Sequence, residues 1–369
     1  MMQKSFTQNR AVIKEIEHPT RLDWILVEKW ADGIPCFSED DPSHPEWRAT
    51  PTFPLDLSSE GYGVAYVKDE ADETSNPTRT IKDRATWELT CLFRDYARAL
   101  YLKKKEGELN GNIGSLRVPR LSLITAGNAG RSISNMFERY GLPPIKLVVD
   151  PSIPKKRLEA LKGLYADIYM VDLSEKPLTA KEIKRITNNE DGIDITSVRI
   201  LEPQAIFYDW HVHEAFNENP DMIFVPYGSG RLMENYLNWQ HRTVRNAVSG
   251  KKDPRLRIPA VRVASMDILG AEPERQDSIA DKLTKDYNPF VIFKDQDISA
   301  LVTLSFTDIQ TGVYRVPEDR IRQAYELLSR RCDTKPSACA GLALYLQMWD
   351  QGKIDPRKKV IILNTGRGI

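Results

Sequence analysis

A chain of 369 residues is long enough for two or three folding units, or for one large two-lobed enzyme. Hydrophobic residues at 41% and charged residues at 28% are ordinary for a globular protein and exclude a disordered chain. Basic and acidic residues number 52 each, so the chain has no net charge and is a poor candidate for non-specific nucleic-acid or anionic-membrane binding. Cys36, Cys91, Cys332 and Cys339 form no CxxC pair and read as reduced structural thiols. The first residues, MMQKSFTQNRAVIKEIEH, carry charge where a signal peptide needs an apolar run. No stretch approaches the ~18 apolar residues of a membrane span. The expectation is a soluble cytoplasmic enzyme that contacts neither membrane nor nucleic acid.

Residues 1–55 read as an irregular leading segment, broken after residue 34 by Pro35, Pro42, Pro45, Pro51 and Pro54. GVAYVKDE (63–70) predicts a strand. Residues 83–105 predict a helix with Ala85, Leu89, Leu92, Phe93, Tyr96, Ala97 and Leu100 on one apolar face. Residues 107–120 form a glycine-bearing loop. Strands and helices then alternate: strand 121–125, helix 128–141 closed by Gly141, strand 145–150, helix 155–165, strand 167–172. Further on come strand 222–226, helix 231–248, strand 261–266, helices 317–332 and 337–352, and a last strand 359–364. This order predicts an α/β protein with mostly parallel sheets and helices on both faces.

Ligands of open α/β sheets bind beyond the carboxyl ends of strands, so the strand-to-helix junctions matter most. Four carry unusual residues. NPTRTIKDRA (76–85) puts Lys82 at a helix start, where its charge opposes the helix dipole. A Schiff base would mask that charge; a solvated lysine beside an Asp83 cap is the structural alternative. LITAGNAG (123–130) is a small-residue turn whose amides can converge on an anion, or an ordinary tight turn. FVPYGSGRL (224–232) is a glycine-rich turn able to cradle a phosphate, and is neither a Walker loop nor a GxGxxG turn. IILNTGRG (361–368) delivers the Thr365 hydroxyl to a glycine-flanked turn.

The order of these four junctions resembles the fold type II pyridoxal-phosphate enzymes, the superfamily of the tryptophan synthase β-chain, cysteine synthase, threonine synthase and serine/threonine dehydratase. KDE…NPT…KDR is similar to the family's KxE…NPTGSFKDR signature. TAGNAG resembles its asparagine loop, PYGSGRL its phosphate loop, and PSACAGLA…VIILNTGRG its closing helix and strand. The wording leans toward the threonine synthase and cysteine synthase branch, and the resemblance spans about residues 50–369.

The resemblance implies a two-lobed fold. Residues 56–84 and 199–369 would form the larger, cofactor-binding lobe. Residues 85–198 would form a smaller mobile lobe, with the active site between the two. Residues 1–55 would be an N-terminal extension packing on the larger lobe. Lys82 would hold the aldehyde of pyridoxal 5'-phosphate as a Schiff base and later move protons. Asn128 would meet the ring hydroxyl. Thr125, Ala126, Gly127, Asn128 and Ala129 would bind the substrate carboxylate. Gly228, Ser229, Gly230 and Arg231 would hold the phosphate, and Thr365 the pyridine nitrogen. The implied reaction is β- or γ-elimination or replacement on an amino acid, led by a threonine synthase-like lyase. The alternatives are a cysteine synthase-like replacement enzyme, including those making specialised amino acids, and a non-catalytic binding protein. A homodimer is the family's usual state.

Three basic residues depart from the family, besides Thr80 and Ile81 in place of its usual serine and phenylalanine. Arg79 stands where glycine is usual, Arg231 follows GSG, and Lys335 precedes Pro336. They suggest an additional anionic group on the substrate, or else point to solvent. His211 and His213 are two apart on a predicted helix, do not share a face and give no metal site. The acidic run 69–73 reads as a solvated loop.

Overall fold

The computed structural model describes residues 13–16, 49–90, 93, 96, 119–125, 127–174, 178–196, 208–251, 256–283 and 310–368. The chain divides into two compact units. One draws on Met1–Ser38 and Ala85–Leu201, the other on Glu39–Arg84 and Glu202–Gly368.

The first unit holds a sheet in the order β1-β6-β5-β4-β7. Its strands are β1 (Ile13–Ile16), β4 (Leu121–Ile124), β5 (Ile145–Val149), β6 (Ala166–Met170) and β7 (Ile193–Asp194). All pair in parallel except β1, which runs antiparallel to β6. Strands β4, β5 and β6 are buried at every position. They are mostly apolar, as parallel strands covered on both faces tend to be, and the buried charges of Lys146 and Asp167 on β5 and β6 lie 3.9 Å apart. Helix α1 spans 82–90, its first three residues counted with the second unit, and Phe93 and Tyr96 are also helical. Helix α2 is Asn128–Arg139, followed by α3 (Lys155–Lys162) and α4 (Ala180–Ile186). Leu89 and Phe93 of the first and Ile133 and Phe137 of the second join Leu123 and Leu147 in one core. The rings of Phe93 and Phe137 lie 5.4 Å apart. Each such side chain contributes about 1.5–3 kcal/mol by its burial. Helix α2 closes as expected at Gly141, whose φ of 63° turns the chain left-handed. Leu142 N–H then bonds back to Phe137 O and Gly141 N–H to Glu138 O, satisfying the last carbonyls.

The second unit holds a sheet in the order β10-β9-β8-β11-β3-β2. These are β2 (Thr52–Asp56), β3 (Val64–Asp69), β8 (Met222–Pro226), β9 (Asp267–Pro273), β10 (Gly312–Val316) and β11 (Val360–Asn364). Only β2 runs antiparallel. Helix α5 (Asp209–Asn217) precedes β8, α6 (Arg231–Val248) follows it, and α8 (Glu318–Ser329) follows β10. Helix α9 (Ala340–Asp350), buried along most of its length, is the centre of this unit's core with Phe224, Leu269 and Ile362.

Four expectations need correction. Residues 261–266 are not a strand: helix α7 is Ala260–Ala264, and the strand is the Asp267–Pro273 segment beyond it. Pro259 starts that short helix at a φ of −62°, and Val261 is 77% exposed, so β-branched content misled where burial decides. Residues 52–56 are not irregular; Pro54 is tolerated because β2 is an edge strand. Tyr96, expected on the apolar face of its helix, is 44% exposed. The acidic run is not a solvated loop, because Asp69 and Glu70 are buried. Leu92, Ala97, Leu100, Cys36 and Cys91 lie outside the described residues. So do residues 1–48 of the leading segment, strand β1 excepted.

Candidate functional site

In the second unit, β8, β11 and β3 are neighbours and parallel, so their carboxyl ends lie along one edge of the sheet. That edge carries three of the predicted elements. Beyond β3 the chain makes a polar turn to Lys82, the first residue of α1. Beyond β11 it reaches Thr365, which is half-buried. The two are stitched by backbone. Ile81 N–H bonds to Thr365 O at 3.2 Å, Thr80 and Gly366 form an isolated bridge, and Arg367 N–H bonds to Arg79 O at 3.1 Å. Asn364, fully buried at the end of β11, fastens the same corner: its amide donates to Asp69 Oδ1 at 2.7 Å and to Asp333 O at 2.8 Å. Burial pushes the Asp69 carboxyl up, against the pull of the Ala71 N–H and the Asn364 amide.

Beyond β8 lies Gly228-Ser229-Gly230, running into the 18-residue helix α6. Gly230 has a left-handed φ of 79° and offers no side-chain cap, so the first-turn amides keep their donor capacity for an anion. At Gly228 a Cβ would come within 3.2 Å of Leu283. Arg231 opens the helix, and its guanidinium donates to Glu234 Oε2 at 2.5 Å. Arg79 holds a φ of 56°, a conformation glycine takes more easily. Its half-exposed guanidinium pairs with Glu73 and with Asp333. Both arginine charges are thus balanced by carboxylates of the chain itself, and the additional-anion reading of these two positions has no support in the geometry.

Two features of this edge escaped the sequence. The first is Tyr208, 5% exposed, whose hydroxyl lies 2.9 Å from Lys82 Nζ. The second is a buried ionic keel beneath Lys82. Arg84, two residues on, donates to Glu70 Oε2 at 3.0 Å and to both oxygens of Glu214 at 3.2 and 3.3 Å. Lys68 donates to Glu214 at 2.5 Å. Glu70 also receives Thr50 Oγ1 at 2.6 Å and Asn76 Nδ2 at 2.7 Å. Burial alone would raise the Glu70 carboxyl, but Arg84, His211 and Lys68 outweigh it and hold it well below its ordinary value. Burial, reinforced by the Glu70 and Glu214 charges, pushes the Tyr236 phenol well above its ordinary range. Tyr236 Oη lies 2.8 Å from His211 Nε2, and His211 Nδ1 lies 2.7 Å from the Glu70 carboxylate. His211 and Glu214 lie on helix α5 (Asp209–Asn217), so the ring of His211 is fully engaged. Among the described residues no three His, Cys, Asp or Glu side chains are grouped to hold a metal. Burial pushes both the Cys332 and Cys339 thiols up to about 12, so neither is a ready thiolate. The visible signal for the keel was charge inside apolar segments, at Lys68, Glu70 and Glu214; nothing in the sequence marked Tyr208.

In the first unit, Thr125 follows the end of β4 and Gly127 precedes α2, with Asn128 its first residue. Thr125 Oγ1 accepts the amides of Gly127 and Gly130, each at 3.1 Å. Asn128 and Ala129 are half-buried. Ala126 lies outside the described residues.

A family model described as pyridoxal-phosphate dependent enzyme matches residues 44–366, and the chain belongs to that family. A search of curated proteins gives no match. Among solved structures, a pyridoxal 5'-phosphate-dependent aspartate racemase is similar at 17% identity and a TM-score of 0.57, covering 96% of this chain and 98% of its own. Maize serine racemase is similar at 15% identity and a TM-score of 0.56, covering 94% and 95%. Diaminopropionate ammonia lyase from Escherichia coli is similar at 15% identity and a TM-score of 0.53, covering 93% and 86%. The fold is that of the two-domain fold type II enzymes, and the cofactor is pyridoxal 5'-phosphate. The chain's residues suit it: an amine, a glycine cradle at a helix start and a neutral hydroxyl share one sheet edge. No described helix is long and apolar enough to cross a membrane.

Proposed function

We propose that this pyridoxal-phosphate enzyme carries out elimination or replacement at the side chain of an amino acid, with Lys82 as its reactive amine. A threonine synthase-like lyase is the leading form. The observation that supports this most is the backbone stitching of the Lys82 turn to Thr365 and Gly366, next to the glycine turn after β8. It gathers an amine, a hydroxyl and a phosphate cradle in the order the resemblance requires.

Bound, the cofactor supplies the electron sink for charge developing at the substrate's Cα. The chain's part is binding, orientation and proton handling. Lys82 Nζ would hold the cofactor aldehyde, and its free amine would take the Cα proton. The amides at the start of α6, with Gly228, Ser229 and Gly230, bind the phosphate. Arg231 lends a charge already damped by Glu234. Thr365 meets the ring nitrogen with a hydroxyl, which cannot hold a proton there as a carboxylate would and so favours elimination and replacement over transamination. By the resemblance, Asn128 would meet the ring hydroxyl, and the turn from Thr125 to Ala129 would bind the substrate carboxylate. A cytoplasmic homodimer belongs to the same reading and is checked by light scattering.

The test is the visible spectrum of the purified protein, with and without a panel of amino acids, followed by borohydride reduction and peptide mapping. The expected result is a yellow protein labelled on Lys82, whose band responds to one substrate class, a phosphorylated hydroxy amino acid for the leading form. Response to O-acetylserine instead would select the cysteine synthase-like form. Cofactor bound with no response to any amine would select a binding protein. A label on another lysine would overturn the site.

A further inference from the structure

We infer that Tyr208 is the positioning residue for the Lys82 amine, holding it at one address through both of its protonation states; this rests on the reading of Lys82 as the reactive amine. Three observations carry it.

The first is the contact itself. Tyr208 Oη lies 2.9 Å from Lys82 Nζ, and the amine sits 5.5 Å from the centre of the same ring. A lysine that forms a covalent link, is released and takes a proton must pass between a neutral amine and an ammonium. A phenol suits both, because its oxygen accepts from the ammonium and its O–H donates to the amine. A carboxylate in the same place would offer only acceptance and would favour the ammonium. No net proton transfer to Tyr208 is needed; the bond reverses direction as Nζ gains or loses its proton.

The second is how firmly Tyr208 is held. Its backbone N–H donates to Asn235 Oδ1 at 3.0 Å. Asn235 is 1% exposed and lies on α6, the helix that begins at the glycine turn. Its Nδ2 donates to Arg231 O at 2.9 Å, in the first turn of that helix. One buried amide therefore ties the phenol's backbone to the proposed phosphate cradle.

The third is that the two partners sit at the starts of helices clamped together by the keel. Lys82 begins α1 and Tyr208 caps α5. Arg84 of the first reaches Glu214 of the second, and Glu70, bound to Arg84, reaches His211. Flexible as a lysine side chain is, its target is set by a rigid frame.

Tyr208→Phe keeps the ring and removes the hydroxyl. Prepared as apoprotein, it is expected to unfold within a degree or two of the wild type. The visible band on mixing with pyridoxal phosphate should develop about ten- to a hundredfold more slowly, with a pH profile displaced from the wild type's. In the loaded enzyme kcat should fall with KM little changed. Wild-type capture kinetics and pH profile in Tyr208→Phe, with the borohydride label on Lys82, would overturn the positioning role and leave the Lys82 reading standing. A label away from Lys82 in the wild type would overturn both. Should Tyr208→Phe fail to fold, Tyr208→Met gives the same comparison without the hydroxyl.

Discussion

Replacing Glu70 by alanine is expected to destabilise the second unit by about 3–5 kcal/mol, the cost of leaving a buried charge without its partner. Arg84 is 2% exposed and would lose a buried carboxylate partner, and His211 would lose the acceptor that fixes its ring. Chemical unfolding of both proteins measures this directly. The effect should carry a pH signature. Glu70 is held well below its ordinary 4.5, so the folded chain prefers it ionised. The stability it contributes is fully present above about pH 4.5 and is lost as pH falls through the lower folded value. The gap between wild type and Glu70→Gln, which keeps the shape without the charge, should therefore be wide near neutrality and narrow in acid. Asp69, next along the chain, works the other way. Its carboxyl is raised by burial, so its contribution is present in acid and fades as pH rises through its folded value. An acid limb carried by Asp69 would survive Glu70→Gln with opposite sign.

The keel also shows what could be read from residues and what could not. Alternation of apolar strands and amphipathic helices made the two sheets legible, down to the bounds of Met222–Pro226 and Arg231–Val248. Those segments agree at every level: propensity, periodicity and burial all point the same way. The Val-rich Ala260–Ala264 helix failed because its β-branched residues suit a strand, while its position demands one short turn before β9. Lys82, the glycine turn and Thr365 could be singled out because each stands in a junction beyond a strand where local chemistry is unusual. Tyr208 was not, because it is defined by a partner 126 residues away and no local pattern encodes that pairing. Glu70 was misjudged for the same reason. An acidic run is normally solvated, and the burial of Glu70 is tolerable because Arg84, His211 and Lys68 offset its charge and Thr50 and Asn76 donate to it.

Gly366→Ala should separate the proposed site's two backbone halves. Gly366 has a φ of 84°, a conformation that costs an L residue about 1–2 kcal/mol. Its added Cβ would also lie 2.9 Å from Thr80 Cα and closer still to the Arg79 carbonyl oxygen. Those are backbone atoms in the turn leading to Lys82, so no side chain can swing aside. Either Gly366 retreats or the Lys82 turn does, and the Thr80–Gly366 bridge breaks in both cases. Gly61 provides the control. It has nearly the same φ, 86°, and a Cβ there would meet nothing within 4 Å. Gly61→Ala should therefore show the conformational cost alone, about 1 kcal/mol, with pyridoxal phosphate bound as in the wild type. Gly366→Ala should add an overpacking cost of about 1–3 kcal/mol and weaken cofactor binding about a hundredfold. Spectroscopic titration of the two apoproteins beside their unfolding midpoints separates the effects. Equal behaviour of the two variants would mean that the stitch between Thr80 and Gly366 does not hold Lys82 in place.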